Sequence, residues 1–302
     1  MYKGLEKRKL GNTGVEVSFV GFGALEIGRD WGLGDSTERL RPEDETAGVV
    51  LNGVLDLGIN IIDTASAYHK SEERIGKYIS NRRNDFFLAS KCGEHSNEPS
   101  TYCDFSFEAI KKSIDKSLLL LKVDYIDLMQ IYFGPDPQKV LDDDETVAAM
   151  KAAKKEGKIR LLGGSTDGDI ARQYIESGDF DVMQLEYSLL NRSDEHLVNL
   201  CGEKGIGVLL RGGLAYGKLT SKVINHLAGD ISDKEKLIEL LRIVDKDGDK
   251  LTALALQFLY SNANVASILA GSKNLAHVKK NLEIFETSLD FGLMKKAIEA
   301  TN

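Results

Sequence analysis

The chain lacks any unbroken apolar run approaching ~18 residues, so it offers no helix suited to crossing a bilayer. Its first residues, MYKGLEKRKLGNTG, hold no apolar segment of the kind a secretion signal carries. Both absences point to a cytoplasmic protein. Cysteine is scarce: Cys92, Cys103 and Cys201 stand far apart without a CxxC pair. That spacing suggests neither a disulfide framework nor a zinc knuckle, and leaves them as small buried apolar residues. Basic charge is short as well. Lys and Arg number 39 against 47 Asp and Glu, a net charge of -8. A strong electrostatic grip on nucleic acid or anionic lipid needs the opposite balance, although a local basic pocket remains compatible. No low-complexity linker interrupts the 302 residues, which fit one domain spanning 1–302.

What is present is an alternation of short apolar β-type runs with longer amphipathic stretches. Eight strands are expected at 17–21, 59–62, 86–90, 125–131, 159–164, 181–186, 207–211 and 266–271. Helices are expected at 43–57, 71–81, 105–121, 143–156, 168–177, 194–204, 248–260 and 274–284. The acidic run 142–145 suits a helix start and KAAKKEGK a helix end, through the dipole and a closing glycine. Eight strands apolar on both faces, each followed by a helix, are what a closed parallel (β/α)8 TIM barrel requires. The rival, an open doubly wound sheet, lacks its Gly-x-Gly-x-x-Gly fingerprint, since GFGALEIG spaces its glycines differently. Ahead of the first barrel strand, LEKRKLGNTGVEVS reads as a β-hairpin turning at GNTG and capping the barrel bottom.

Reacting groups in such barrels sit where strands end, so the strand ends carry the functional argument. The second strand ends at Asp63 with Tyr68 in the loop beyond, the third at Lys91, and the fourth at Tyr132 before a Gly-Pro turn. The fifth leads to Ser165 and Thr166, the sixth to Gln184 and Tyr187. A phenol with pKa ~10 is a poor acid near neutrality, but a neighbouring ammonium favours the phenolate and a carboxylate keeps that ammonium charged. Asp63, Lys91 and Tyr68 together are suited to giving a proton to a carbonyl oxygen, or taking one from an alcohol.

These segments resemble the aldo-keto reductase family over essentially the whole chain: GINIIDTASAY, SLLLLKVDYIDLMQI and ILAGSKNLAHVKKN are similar to its blocks. The resemblance implies a barrel oxidoreductase that passes a hydride between NADPH, or less often NADH, and an aldehyde, ketone or sugar, without a metal. It implies that Tyr68 is the general acid, Lys91 lowers its pKa and Asp63 holds Lys91. The fourth member of that set is a histidine where this chain has Tyr132, whose hydroxyl can still donate from a longer ring. His69 and His95 are two other histidines with a route to the mouth; each also suits an exposed loop.

For the cofactor, the resemblance implies Ser165, Thr166 and Gln184 at the nicotinamide carboxamide and Tyr187 stacked on the ring, with Thr166 replacing the family's usual asparagine. Gly23 and Ala24 belong to the same pocket. Gly212, Leu214, Gly217 and Lys218 match the pyrophosphate segment, where glycines let backbone amides come close. Gly271, Ser272, Lys273, His277, Lys280 and Asn281 match the adenosine end. Two lysines, Lys273 and Lys280, and no acid near the ribose favour NADP(H) over NAD(H); Lys279 also reads as a solvated face. Trp31, in the long loop 28–41, is either a substrate wall or a loop anchor. The expected partner is a small carbonyl or sugar molecule, with oligomeric state open. The alternative to an enzyme is an NADP(H)-binding regulatory or redox-sensing module with little turnover.

Overall fold

The computed structural model describes residues 2–301 apart from Pro135, Asp230, Leu289 and Asp290. The Gly-Pro turn expected after Tyr132 therefore falls partly outside the described residues.

A two-stranded antiparallel hairpin, β1 (Lys7–Lys9) and β2 (Glu16–Ser18), precedes the barrel. The barrel strands are β3 (Val20–Gly23), β4 (Ile61–Asp63), β5 (Phe87–Cys92), β8 (Ile126–Tyr132), β9 (Ile159–Ser165), β10 (Val182–Glu186), β11 (Gly207–Arg211) and β12 (Ser267–Gly271). Between β5 and β8 stands a second hairpin, β6 (Glu94–Asn97) with β7 (Ser100–Cys103). The eight barrel strands pair in parallel around a closed ring, in the order β10, β11, β12, β3, β4, β5, β8, β9. This is the expected (β/α)8 TIM barrel.

Helices cover the outside. The chain runs through α1 (Leu25–Gly28), α2 (Ser36–Arg39), α3 (Asp44–Asp56), α4 (Ser71–Tyr78), α5 (Phe107–Leu121), α6 (Pro137–Asp143) and α7 (Glu145–Lys155). It continues through α8 (Gly168–Ser177), α9 (Glu195–Lys204), α10 (Val223–His226), α11 (Lys234–Ile243), α12 (Gly248–Ser261), α13 (Leu275–Phe285) and α14 (Phe291–Ala300).

Alternation along each strand divides the apolar residues into two cores. Leu88, Met129, Ile131, Met183, Leu185, Val208 and Leu210 face outward into the large layer beneath the helices. Ile61, Phe87, Ala89, Leu128, Val182 and Leu209 face inward and fill the lower barrel. The hairpin closes that end: Leu10 and Val17 pack into the same inner cluster. Gly11, at φ 55, presses on the start of β11, where an added Cβ would lie 2.4 Å from the Gly205 carbonyl. The hairpin thus caps the barrel bottom as expected, leaving the carboxyl ends of the strands open.

Some expectations need correction. The run 17–21 is two strands rather than one, because the chain changes sheets around Phe19 without any break in apolar character. The β6–β7 hairpin escaped detection because nearly all its residues are exposed or half-buried, so it shows no apolar alternation. Cys92 and Cys201 are buried as expected, but Cys103, at the end of that hairpin, is exposed.

Leu10 is fully buried at the bottom plug. Leu10→Ala is expected to cost about 2–5 kcal/mol by leaving a cavity. Urea unfolding reads that loss, while specific activity per folded molecule stays as in wild type.

Candidate active site

Above the inner apolar cluster the inward-facing residues turn polar. Asp63 ends β4, Lys91 lies near the end of β5, Gln130 lies on β8 and Gln184 on β10. All four are at most 3% exposed. The Lys91 Nζ donates to Asp63 Oδ2 at 2.5 Å and to the Thr64 carbonyl at 2.9 Å. It stands 5.0 Å from the centroid of the Tyr68 ring, within electrostatic reach of that hydroxyl. The other carboxylate oxygen, Oδ1 of Asp63, accepts from Gln130 Nε2 at 2.9 Å and Gln184 Nε2 at 3.0 Å. Gln184 also donates to Gln130 Oε1 at 3.2 Å, and its own carbonyl accepts from Ser165 Oγ at 3.3 Å. Gly163 on β9 makes this possible, because a Cβ there would come within 2.9 Å of Gln130 Cγ.

The electrostatics follow from this packing. Burial works against the charge of Lys91, but Asp63 and then Tyr68 outweigh it and hold the ammonium above its ordinary pKa. Burial pushes the Tyr68 phenol above its ordinary value; Lys91 pulls it down without cancelling that, and Asp63 and Tyr132 add to the rise. The expected net lowering of Tyr68 by Lys91 is therefore reversed here, because desolvation is the larger effect.

Tyr132 continues the inward series of Leu128 and Gln130 at the tip of β8, directly opposite Ser165 in the β8–β9 register. It is 38% exposed, so its ring stands in the open mouth rather than in the core. His69 is bonded through Nδ1 to Ser96 Oγ at 2.8 Å, and His95 through Nε2 to the Asp104 carbonyl at 3.1 Å. Both are thus bonded to the β6–β7 hairpin or to the residue that follows it.

Among the expected cofactor residues the structure divides. Ser165, half-buried Thr166 and Gln184 lie together at the ends of β9 and β10. Gly23 and Gly271 are register partners at the tips of β3 and β12, and the Ala24 N–H donates to the Asp63 carbonyl at 2.8 Å. Gly212, Leu214, Gly217 and Lys218 follow β11; the Lys218 ammonium pairs with Asp233 at 2.7 Å. Ser272 is buried, and the Lys273 ammonium donates to the carbonyls of Glu38 and Leu40. His277, Lys280 and Asn281 lie on α13, with Lys280 paired to Asp249 at 2.8 Å. Trp31 is 42% exposed in the 28–41 loop, which disfavours the buried-anchor reading.

Tyr187 is the residue the structure does not bring to the mouth. Met183 and Leu185 face outward, and Tyr187 continues their side of the strand. It is 1% exposed, packs on Phe258 and donates to Glu195 at 2.9 Å. The inward position nearby belongs to Glu186, which joins Asp167, Arg211 and Tyr216 in an ionic cluster across the ends of β9, β10 and β11. Arg211 donates to Asp167 and, at 2.9 Å, to Glu186; Tyr216 donates to Glu186 at 2.8 Å. Counting by twos from Gln184 would have excluded Tyr187. Gln130 was missed because a glutamine inside an apolar strand carries no motif of its own.

Among the described residues no group of three or more His, Cys, Asp or Glu is arranged to hold a metal, and no helix is long and apolar enough to cross a membrane.

A closed parallel eight-stranded barrel with polar and ionisable groups gathered at the carboxyl ends of its strands is an architecture of barrel enzymes. Residues 20–299 match the Aldo/keto reductase family. The chain is 34% identical over 295 residues to L-galactose dehydrogenase of Arabidopsis thaliana, covering 92% of this chain and 87% of that one. It is 28% identical over 331 residues to the NADH-specific methylglyoxal reductase of Escherichia coli, covering 98% and 99%. An aldo-keto reductase from Bacillus halodurans, solved in its holo form, superposes with a TM-score of 0.80 at 28% identity, covering 99% and 97%. This chain belongs to the aldo/keto reductase family of oxidoreductases.

The upward shifts of Lys91 and Tyr68 have one sign. Each group holds its proton more tightly folded than unfolded, so its contribution is complete below a pH of about 10 and is lost as pH rises through the folded value. Melting temperature is therefore expected to fall on the alkaline side, less steeply for Tyr68→Phe than for wild type. Equal alkaline slopes would remove Tyr68 from that account.

Proposed function

We propose that this protein reduces the carbonyl of an aldehyde, ketone or sugar, or oxidises the matching alcohol, with NADP(H) as the favoured cofactor and Tyr68 as general acid and base. The observation that carries this reading is the Tyr68 ring standing 5.0 Å from a buried ammonium that Asp63 fixes. The names of two relatives, a sugar dehydrogenase and a methylglyoxal reductase, support small carbonyl and sugar substrates.

The residues present fit a nicotinamide dinucleotide. Gly23 and Gly271 leave an open floor between β3 and β12, and a Cβ at Gly271 would crowd the Gly23 carbonyl at 3.1 Å. Lys218 and Lys273, with the exposed Lys222, which the sequence reading missed, provide cations for phosphates. Ser165, Thr166 and Gln184 suit the carboxamide, although Gln184 must release part of its present bonding to serve it. Tyr187 drops out of the cofactor set on its burial. The dinucleotide, when bound, gives or takes the hydride.

As a carbonyl carbon gains a hydride, its oxygen becomes basic and takes the proton from Tyr68. The phenolate left behind is stabilised by Lys91 and regains a proton from solvent; alcohol oxidation runs the same transfers in reverse. Burial raises the Tyr68 pKa and weakens the phenol as an acid, so the transfer depends on Lys91 stabilising the phenolate as it forms. Tyr132 orients the substrate oxygen by donating a hydrogen bond from the mouth, and Trp31 lines the substrate's apolar side. The protein acts as a single barrel domain in the cytoplasm on small molecules, not on nucleic acid or membranes.

A second reading, a cofactor-binding module with little turnover, is favoured by one observation: the position of the family's histidine is Tyr132.

The test follows NADPH absorbance against aldehydes, ketones and sugars. Tyr68→Phe is expected to lower kcat by about 10²–10⁴-fold. Cofactor binding without turnover on any substrate would transfer the conclusion to the module. Tyr132→Phe is expected to lower turnover and change the substrate order, and an unchanged order would refute the orienting role of Tyr132.

A further inference from the structure

The case for NADP(H) assumed no acid near the adenosine ribose. Folding supplies one. Glu26 lies on α1, immediately past the tip of β3, and its side chain crosses to the tip of β12. Its Oε1 stands 3.7 Å from where a Cβ on Gly271 would be. The carboxylate lies against the backbone N–H of Lys273 and within electrostatic reach of the Lys222 and Lys273 ammonium groups. Burial nevertheless outweighs both cations and pushes its pKa above the ordinary carboxylate range, so the group is poorly solvated.

The same corner holds the residues assigned to the ribose phosphate. Ser272 and Lys273 follow Gly271, and His277 on α13 is within electrostatic reach of Lys222 and Lys280. Lys280 is already paired to Asp249. Lys273 and Lys280 therefore already meet acceptors of this chain, and the acid within electrostatic reach of Lys222 and Lys273 is Glu26.

We propose that Glu26 is a cofactor-choice residue: its carboxylate opposes the 2'-phosphate of NADPH and accepts from the ribose 2'-hydroxyl of NADH, so that the chain uses both cofactors. A dianionic phosphate in this corner gains the lysines but is repelled by the carboxylate. A bare ribose adds no charge and offers a donor that a carboxylate can accept. The pyrophosphate is common to both cofactors and cancels in the comparison. The inference rests on the reductase reading, since it needs a dinucleotide in this pocket.

Calorimetric titration of the intact protein with NADPH and with NADH tests it. Wild type is expected to bind the two within about tenfold of each other, a difference of ~1.4 kcal/mol. Glu26→Gln is expected to tighten NADPH by about tenfold while leaving NADH within about threefold or weakening it. Glu26→Ala serves as a second variant that shares no hydrogen-bonding capacity with glutamine, and melting curves confirm that each folds. An unchanged ratio of the two dissociation constants in both variants overturns the role of Glu26 and leaves the reductase reading standing. Failure of wild type to bind either cofactor overturns both.

Discussion

The buried contact between Asp63 and Lys91 constrains more of this structure than any other. Two opposite charges inside a barrel lose most of their hydration, and breaking such a pair by removing one partner costs about 3–5 kcal/mol. The pair is tolerable only when every remaining proton and lone pair finds a partner. That requirement recruits Gln130, Gln184 and Ser165 from three strands and Thr64 from the loop after β4. It also explains the small residue on β9, since Gly163 gives Gln130 the space to reach Asp63. The result is a polar layer seated on an apolar one, with the charge fixed at the height where Tyr68 can use it.

Strand alternation decides what reaches that layer. Inward positions are apolar below, in Ile61, Phe87, Leu128, Val182 and Leu209, and polar above, in Asp63, Lys91, Gln130 and Gln184. One step further out they become Tyr132, Glu186 and Arg211. Tyr187, one residue beyond Glu186, belongs to the opposite face and is absorbed by the helix layer. A tyrosine near a strand end thus reaches the mouth or the helix layer according to parity, as Tyr132 and Tyr187 show.

Much of this was legible in the sequence, and for identifiable reasons. Eight apolar runs separated by amphipathic ones fixed the barrel within about two residues at most boundaries, because burial on both strand faces leaves no ambiguity of pattern. Asp63, Lys91 and Tyr132 were found from their positions at strand ends. The β6–β7 hairpin was invisible because an exposed hairpin needs no apolar face. Gln130 and Glu26 were missed for another reason: their significance depends on partners 67 positions away for Gln130 and Asp63, and at the far end of the chain for Glu26 and Lys273. Only closure of the ring, which sets β12 beside β3, makes the second pair neighbours.

Closure also gives the mouth its present condition. The loop 28–41 is tied down by Arg41 to the Gly28 carbonyl at 3.0 Å and to Glu98, and by Lys273 to the carbonyls of Glu38 and Leu40. Lys218 is tied to Asp233, and Lys222 faces Glu26. Cations that suit an anionic ligand are thus already engaged by acceptors of this chain. An anion entering competes with those acceptors, so the free energy of its binding includes the contacts it displaces. Replacing an internal carbonyl costs little, whereas replacing a buried carboxylate leaves that carboxylate beside the incoming charge. The acids around this rim therefore shape its electrostatics as much as the lysines do.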